Sequence, residues 1–582
     1  MNFREIKYAC RSINKNLLNS IIIVISIAVG LACTNLISVF ILRELQHDDF
    51  HNNKDRIHLM QSNSPLKEGE KIFYVRNAVP EYMVDNYPEV EDYCQVTIGN
   101  IESIVVDENN YYSKENIIWA SDNFFRFFTF DLVVGSAETV LETDNCIVIS
   151  EQLADKYFGK RDIVGEELSI SYYGKKNNYF VTGVFRKPKE ASQLDFELVV
   201  LHNNKYGSGK CYLQISEGVQ ISELHKKFEA DKKHLPTISV AVKGIYTLLP
   251  FKQAYYGNKD GVWFSSYRDK NDIIISAVIA LIILVVAIFN YLGLLNNLLL
   301  NRIKEFSIRK INGLTTSRQV LALLVEYSIL IFSGVLFSFI LIVFAFPQFK
   351  ELINSNIEMG YLYNFKSVLL MTGFILLLIV STLTFIIFFV KRMILVEAIK
   401  SKPQSINGKQ GIPAFNIFQF AATIILIIAS IGIVNQMYFI SNKDIGIDKS
   451  IVRIQVPIEH QKKAAILKEE ILKSPLVRNV SVTRGEPLFR EHFSRVVLTK
   501  NEGGIEKPFS PFMFEGDIDL IEILELSIIE GNGFSPKGSN EKKCIINESL
   551  AKEFAPMDLV GKSLPGYSSM EVVGIVKDFH YT

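Results

Sequence analysis

The tetrapeptide GSGK at residues 207–210 has the residue types of a phosphate-binding loop. Such a loop needs a glycine five residues before its second glycine, and a serine or threonine after the lysine. Asn204 and Cys211 stand at those places, so nucleotide binding is not expected there. His47 and His51 are four apart, beside Asp48 and Asp49. Histidines at i and i+4 share a helical face and suit zinc, but no third strong ligand is spaced to join them, and a solvated helix is the expectation. The six cysteines form no C-x-x-C pair, which argues against a zinc site and against a disulfide framework. No serine, histidine and aspartate have a readable nucleophile–base spacing. What remains is charge in unusual settings. Arg302, Glu305 and Arg309 fall at i, i+3 and i+7 on one helical face. Glu305 can pair with either arginine, for about 0.2–0.5 kcal/mol a pair. Glu326 stands in an otherwise apolar run, where an acid is read as functional by default; it is expected to pack against span two or to reach a polar neighbour such as Asn290, Asn296 or Asn297.

The elements that position these residues follow from how the apolar residues clump. The chain has 582 residues, too many for one core, and zero net charge. Ser20–Leu42, Ile273–Asn301, Ser367–Val390 and Ile412–Asn442 carry no charge, and Gln319–Phe349 carries only Glu326. Roughly 20 such residues span a bilayer as a helix, so five spans are expected, at 20–42, 272–299, 318–346, 366–390 and 414–440. The first is too long for a signal-peptide core and no cleavage site follows it, so it reads as a retained anchor. Basic residues mark the cytoplasmic side. Arg4, Lys7, Arg11 and Lys15 precede the first span; Arg302, Lys304, Arg309, Lys310 and Arg318 lie between the second and third; Lys391, Arg392, Lys400, Lys402 and Lys409 follow the fourth. Residues 1–19, 300–317 and 391–413 are therefore expected inside, and 43–271, 347–365 and 441–582 outside. Between spans two and three, residues 302–312 read as a short amphipathic helix with Ile303, Phe306 and Ile311 on its apolar side. Gly313 is expected to end it as a C′ residue, with Thr315, Thr316 and Ser317 as N-caps for the next span. Such a helix anchors to anionic headgroups or docks a cytoplasmic partner.

Both outer segments read as mixed α/β. Strands are expected at Arg56–Ser62, Tyr93–Ile98, twice within 101–121, and at YFVTGVF; a helix is expected at Ala78–Tyr87. In the second segment IVRIQVP and VRNVSVTR read as strands. EHQKKAAILKEEILKS between them reads as a helix with Ile466, Leu467 and Ile471 on one face. The segments also repeat each other. VISEQLADKYFGKRDIVG (148–165) aligns with IINESLAKEFAPMDLVG (545–561), Ser150 meeting Asn547 at 547 − 150 = 397. Gly135 meets Gly531 at 531 − 135 = 396, Arg56-Ile57 meets Arg453-Ile454, and YFVTGVFRK corresponds to MEVVGIVKD. The expected fold class is an α-helical integral membrane protein with large mixed α/β extracytoplasmic domains. It is a tandem duplication of one span, an outer domain and three spans, with the second copy incomplete.

The stretch NYLGLLNNLLLNRIKEFSIRKINGLTTSRQVLALLVEYSIL resembles the FtsX-like permease domain of ABC transporters, whose pattern R-x-x-E-[IF]-x-[IL]-R-[KR]-x-x-G-[AL] is met by Arg302, Glu305, Phe306, Ile308, Arg309, Lys310 and Gly313, with Glu326 following. Leu314 stands where alanine is usual and Asn312 where an apolar residue is common. LRELQHDDFHNNKDRIHLM resembles the segment leading into a MacB-like extracytoplasmic domain, and the doubled eight-span form is similar to permeases of Bacteroidota. The resemblance implies a non-catalytic permease subunit in the bacterial inner membrane, N-terminus inside. ATP and Mg are then bound by a separate dimeric cytoplasmic ATPase, and no cofactor or metal is bound directly. Arg302, Glu305, Phe306, Arg309, Lys310 and Gly313 would form the coupling element. Further partners would be the lipid bilayer and a periplasmic adaptor or second permease copy, with no nucleic acid. Moving outer domains would act in export of small compounds or peptides, lipoprotein handling, or regulation of cell-wall enzymes. A receptor with paired outer sensor domains is the rival reading, and a membrane-anchored envelope enzyme a weaker one.

Overall fold

The computed structural model describes residues 11–579 except 64–70, 77, 100–102, 108–109, 113–114, 173–174, 203–207, 232–233, 237–245, 257–268, 354–356, 400–413, 443–450, 455, 457, 485–493, 497, 503–504, 536–539, 556 and 566. The GSGK stretch, Cys10, the first basic residues and the 400–413 part of the linker fall wholly or partly outside these. The chain forms two compact units. Met1–His47, Lys189–Ala191 and Arg268–Ser441 make one; Asp48–Pro188, Ser192–Tyr267 and Asn442–Thr582 make the other.

The first unit is helical. Its long helices are α1 (Leu17–Leu45), α2 (Lys270–Asn301), α4 (Thr316–Leu352), α5 (Phe365–Ile399) and α6 (Ala414–Asn442), with the short α3 (Ile303–Ile311) between α2 and α4. Among the described residues, these five long helices are long and apolar enough to cross a membrane. The first four extend a few residues past the apolar runs that predict them, while α6 lies within its run. Between helices in lipid there is no hydrophobic drive, so small residues and polar cross-links hold them together. A Cβ on Gly30 of α1 would lie 2.3 Å from the Ala287 Cβ of α2, and one on Gly334 of α4 would lie 2.7 Å from the Ile27 Cγ2 of α1. Asn290 donates to the Ser26 hydroxyl at 2.8 Å, and the Tyr291 and Thr382 hydroxyls are 3.0 Å apart, tying α2 to α1 and to α5. Ile23, Ile27, Leu31, Tyr291, Leu295, Leu323 and Tyr327 fill the space these links enclose.

The second unit holds the outer domains. The first contains β1 (Ile57–Asn63), β2 (Val90–Gly99), β3 (Ser103–Asp107), β4 (Ile117–Ala120), β5 (Asp131–Val134), β6 (Cys146–Ser150), β7 (Glu167–Tyr172), β8 (Lys175–Arg186), β9 (Leu198–Leu201), β10 (Ser208–Ile215) and β11 (Tyr246–Pro250). Its sheet runs β11–β1–β10–β2–β4–β9–β6–β8–β7–β3, with β5 on β8. The span 101–121 holds three strands, since Asn110–Tyr112 returns on β3 before β4 begins. Phe124, Phe128, Phe130, Phe185, Phe196 and Phe251 pack one core. The other face takes the helices Ala78–Asn86 and Ile221–Ala230, through Val79, Met83, Leu224 and Phe228.

The repeat is met in four strands, two caps and two turn glycines. In the second outer domain β12 (Ile528–Gly531), β13 (Lys543–Asn547), β14 (Ser563–Leu564) and β15 (Tyr567–Val576) stand for β5, β6, β7 and β8. The parallel β6–β8 ladder skips Thr182 on β8, between Val181 and Gly183; the parallel β13–β15 ladder skips Val573 on β15, between Val572 and Gly574. Ser150 and Asn547 both cap the following helix, accepting from the Leu153 and Leu550 amides. Gly165 N donates to Val181 O, and Gly561 N to Val572 O, each at 2.8 Å. Both glycines have positive φ, which a side chain would strain.

Two strand expectations for the second domain are not met, while the expected helix is found at Ala464–Leu472. Residues 451–454 and 456 form no strand, VRNVSVTR keeps only Thr483–Arg484, and Ile466 and Leu467 of the helix Ala464–Leu472 are exposed. In the first domain the corresponding elements lean on β10, β11 and the helix Ile221–Ala230.

Lys210 lies buried in β10, and desolvation pushes its amine down to about 7. The unfolded chain then binds more protons above that value, so the outer domain's stability rises with pH from 7 towards 10, by about 1.4 kcal/mol per unit. Lys210→Met should therefore stabilise more at pH 6 than at pH 9 in urea unfolding followed by tryptophan fluorescence; an equal gain at both would refute this. In the helical unit, Gly30→Val and Gly334→Val should each cost about 1–3 kcal/mol through overpacking, read as a lower thermal midpoint in detergent. Gly373→Val, with nothing within 4 Å of its Cβ position, should not.

Candidate functional site: a buried ion pair beneath an exposed helix

Arg302 caps the C-terminus of α2, where the chain turns into α3. Glu326 is the eleventh residue of α4, about 15 Å along the axis from its start at the 1.5 Å rise of a helix. The Arg302 Nη1 donates to both Glu326 oxygens, at 2.8 and 2.9 Å. Ser12 adds a hydroxyl donor to Glu326 Oε1 at 2.7 Å, bringing in the segment before α1. The guanidinium also donates through Nε to Glu305 at 3.2 Å and lies over the Phe306 ring at 5.2 Å. Arg302 is 9% exposed and Glu326 5%. Charges so removed from water persist only when paired and hydrogen-bonded, and loss of either partner typically costs about 3–5 kcal/mol. One carboxylate thus holds the segment before α1, the end of α2 and the start of α3 against α4.

This corrects two expectations. Glu326 is received by Arg302 and Ser12, not by the asparagines; Asn290 is engaged with Ser26 on α1. The missed signal was the arginine at the end of span two, whose long stem reaches a carboxylate nearly three turns into α4. The faces of α3 also differ from expectation. Phe306 is buried and Ile303 half-buried, as predicted, but Ile311 is 84% exposed; Ile308, which did not fit the apolar side, is 59% exposed. Lys304 and Ile308 are four apart and Ile311 three further, so they share the outward face. Beside them Glu305 accepts from Arg309 Nη2 at 2.7 Å and from Arg302, bridging outer and inner faces. Of the predicted coupling residues, Arg302 and Phe306 therefore point inward, while Glu305 and Arg309 are half-buried at the margin. Lys310 lies in α3 with a side chain outside the described set. Gly313 has φ +87° and ends the helix, Leu314 N donating back to Arg309 O at 3.1 Å. Thr315 sits at the N-cap of α4 without a side-chain capping bond.

The histidine pair separates. The His47 Nδ1 lies 2.8 Å from the Glu44 carbonyl within the helical unit. In the outer unit the His51 Nδ1 accepts from the Thr129 amide at 3.1 Å, and its ring is packed against Phe50, Phe128, Phe130 and Phe251. Burial holds its pKa down to about 3. Asp48, at φ +55°, accepts from Ser192 Oγ at 2.6 Å and Gln193 Nε2 at 3.1 Å. This stretch is a buried core corner rather than a solvated helix.

Glu326→Gln and Arg302→Met should each lower the thermal midpoint in detergent, while the joint replacement should cost less than the two single effects summed. Additive losses in that double-mutant cycle would show that the two side chains do not act as a pair.

Sequence profiles match two stretches: a MacB-like periplasmic core domain over residues 20–231, and an FtsX-like permease C-terminal domain over 277–394. No curated protein matches the chain. Among solved structures, a domain of a protein described as a permease from Porphyromonas gingivalis is 21% identical, covering 34% of this chain and 93% of its own, with a TM-score of 0.29. The periplasmic region of MacB from Actinobacillus actinomycetemcomitans is 11% identical over 36% and 95%, with a TM-score of 0.26. The extracellular domain of the noncanonic ABC-type transporter YknZ from Gram-positive bacteria is 12% identical over 33% and 99%, with a TM-score of 0.25. Such permeases are typically non-catalytic membrane subunits that work with a cytoplasmic ATPase. With its apolar helices, its periplasmic core domain and its permease domain, the chain is a multi-pass FtsX/MacB-like permease, the membrane subunit of an ABC transporter.

Proposed function

We propose that this permease transmits the work of a separate dimeric cytoplasmic ATPase to its outer domains, and that α3 is the element the ATPase grips. The ATPase partner binds ATP and Mg; the permease supplies the lever. The observation that carries this reading is the Arg302–Glu326 pair, because a docking helix must be rigidly joined to the spans it is to move. The coupling residues then divide by role. Arg302 and Phe306 anchor α3 from beneath. Lys304, Ile308 and Ile311 offer an outward face, and Glu305 with Arg309 fixes its margin. An exposed isoleucine pair flanked by a lysine suits an apolar cleft with an acidic rim. The orientation follows from the basic residues around α3: it faces the cytoplasm of a bacterial inner membrane, with both outer domains in the periplasm. Movement of those domains acts on small compounds, peptides or lipoproteins in the envelope, without a pore being required.

Ile308→Glu with Ile311→Glu should lower ATPase co-purification at least tenfold and abolish permease-stimulated hydrolysis, with membrane insertion and thermal midpoint unchanged. Unchanged ATPase binding in that variant would contradict the assignment of α3 as the docking element.

A further inference from the structure

The chain leaves α1 through Gln46 and His47 and reaches β1 by way of Asp48–Asn52. Asp48 is fully buried at φ +55°, a backbone region that glycine, asparagine and aspartate enter most readily. Its Oδ1 accepts from Ser192 Oγ at 2.6 Å. Its Oδ2 accepts from the Gln193 backbone amide at 3.3 Å and from Gln193 Nε2 at 3.1 Å. Gln193 Nε2 also donates to the Phe251 carbonyl at 3.1 Å, and His51 Nε2 stands 3.8 Å from Asp48 Oδ1. Ser192 and Gln193 are themselves buried. The residues after Asp48 extend the same hold. Asp49 accepts from Lys54 Nζ at 2.9 Å and from Lys252 Nζ. His51 Nδ1 accepts from the Thr129 amide, and the Asn52 amide donates to Thr129 Oγ1, each at 3.1 Å.

The segments so gathered lead to strands across the whole sheet. Thr129 lies two residues before β5, Ser192 and Gln193 run on towards β9, and Phe251 and Lys252 directly follow β11. In the sheet order β11 and β1 stand at one end, β9 in the middle, and β5 on β8 towards the other end. Without these links the chain leaving α1 would meet the sheet through β1 alone, beginning with Ile57 opposite Gln214. A pull on the end of a strand loads its ladder bonds in turn, and each contributes little by itself. Hydrogen bonds to a carboxylate are charge-assisted and stronger, and a buried carboxylate has no water to exchange them for.

We propose that Asp48 is a positioning residue that divides motion arriving along α1 among β1, β9 and β11, so that the first outer domain moves as one body instead of being drawn out from β1. Asp48 acts in this way only if the permease transmits motion as proposed above, and it marks where the load enters the outer domain. The residue type follows from the geometry. Glycine would take the turn but hold nothing. Asparagine would take the turn but set an amide donor against Ser192 or Gln193, which both donate here; the Ser192 hydroxyl already accepts from the Leu194 amide at 3.1 Å.

The test uses the full chain co-purified with its ATPase in detergent. Spin labels at Phe344 and Glu223 report movement of the outer domain against the spans, and hydrogen–deuterium exchange over 57–63 reports whether β1 stays in its sheet. In the unsubstituted complex ATP and Mg should shift the label distance and leave exchange unchanged. In Asp48→Gly, exchange over 57–63 should rise at least tenfold during hydrolysis but less than twofold at rest. Asp48→Asn keeps the turn and part of the hold, so it should show a smaller rise of the same kind, and it decides the matter if the glycine variant does not fold. A purely structural role would raise exchange equally at rest and during hydrolysis; that result overturns the proposal, as does a β1 that stays protected during hydrolysis in the variants. A label distance in the unsubstituted complex that ignores nucleotide would instead overturn the transmission reading, and the role of Asp48 with it.

Discussion

Arg302 and Glu326 would each be costly to leave alone where they lie. Paired, with Ser12 on a remaining lone pair and Phe306 beneath the guanidinium, they become a joint between four segments of the helical unit. The joint is directional as well as strong. A guanidinium bound through one nitrogen to both carboxylate oxygens resists rotation better than a single contact would. Glu305 then links that guanidinium to Arg309 on the margin of α3, so the buried charge and the exposed helix share one network. A surface helix of nine residues has little stability of its own; here it borrows rigidity from an ion pair it partly covers.

The bundle around this joint depends on close approach rather than on hydrophobic drive. Gly30 and Gly334 let α1 sit between α2 and α4 at backbone distance, and the Asn290–Ser26 and Tyr291–Thr382 bonds fix the heights at which the helices meet. The outer domains follow the opposite logic. Their order comes from phenylalanine-rich burial and sheet ladders, and the duplicated domain keeps those ladders down to the position of a bulge and a cap.

Much of this was legible in the sequence, for identifiable reasons. The spans were readable because uncharged runs of that length have one common use. The repeat was readable because caps and positive-φ glycines, such as Ser150 with Asn547 and Gly165 with Gly561, tolerate few substitutes. Phe306 and Gly313 took their expected places because helix periodicity and C′ geometry are local. The Arg302–Glu326 pair was missed because it joins residues 24 positions apart on different helices, and no local period reports that. Ile311 was misjudged for a related reason. Amphipathicity names an apolar side but not which apolar residues are left over for a partner. The strands expected at IVRIQVP and VRNVSVTR have the right local propensity, but a strand exists only through its neighbours.

The central claim is that α3 and α4 move as one body because the buried pair locks them together. Pulsed electron–electron resonance between spin labels at Asn312 and Phe344, in the permease bound to its ATPase, measures this directly. A single narrow distance distribution that is the same with and without nucleotide, and that broadens in Glu326→Gln, is the predicted result. A distribution in the unsubstituted pair that shifts or splits when nucleotide binds would mean that α3 pivots on α4, and would contradict the account.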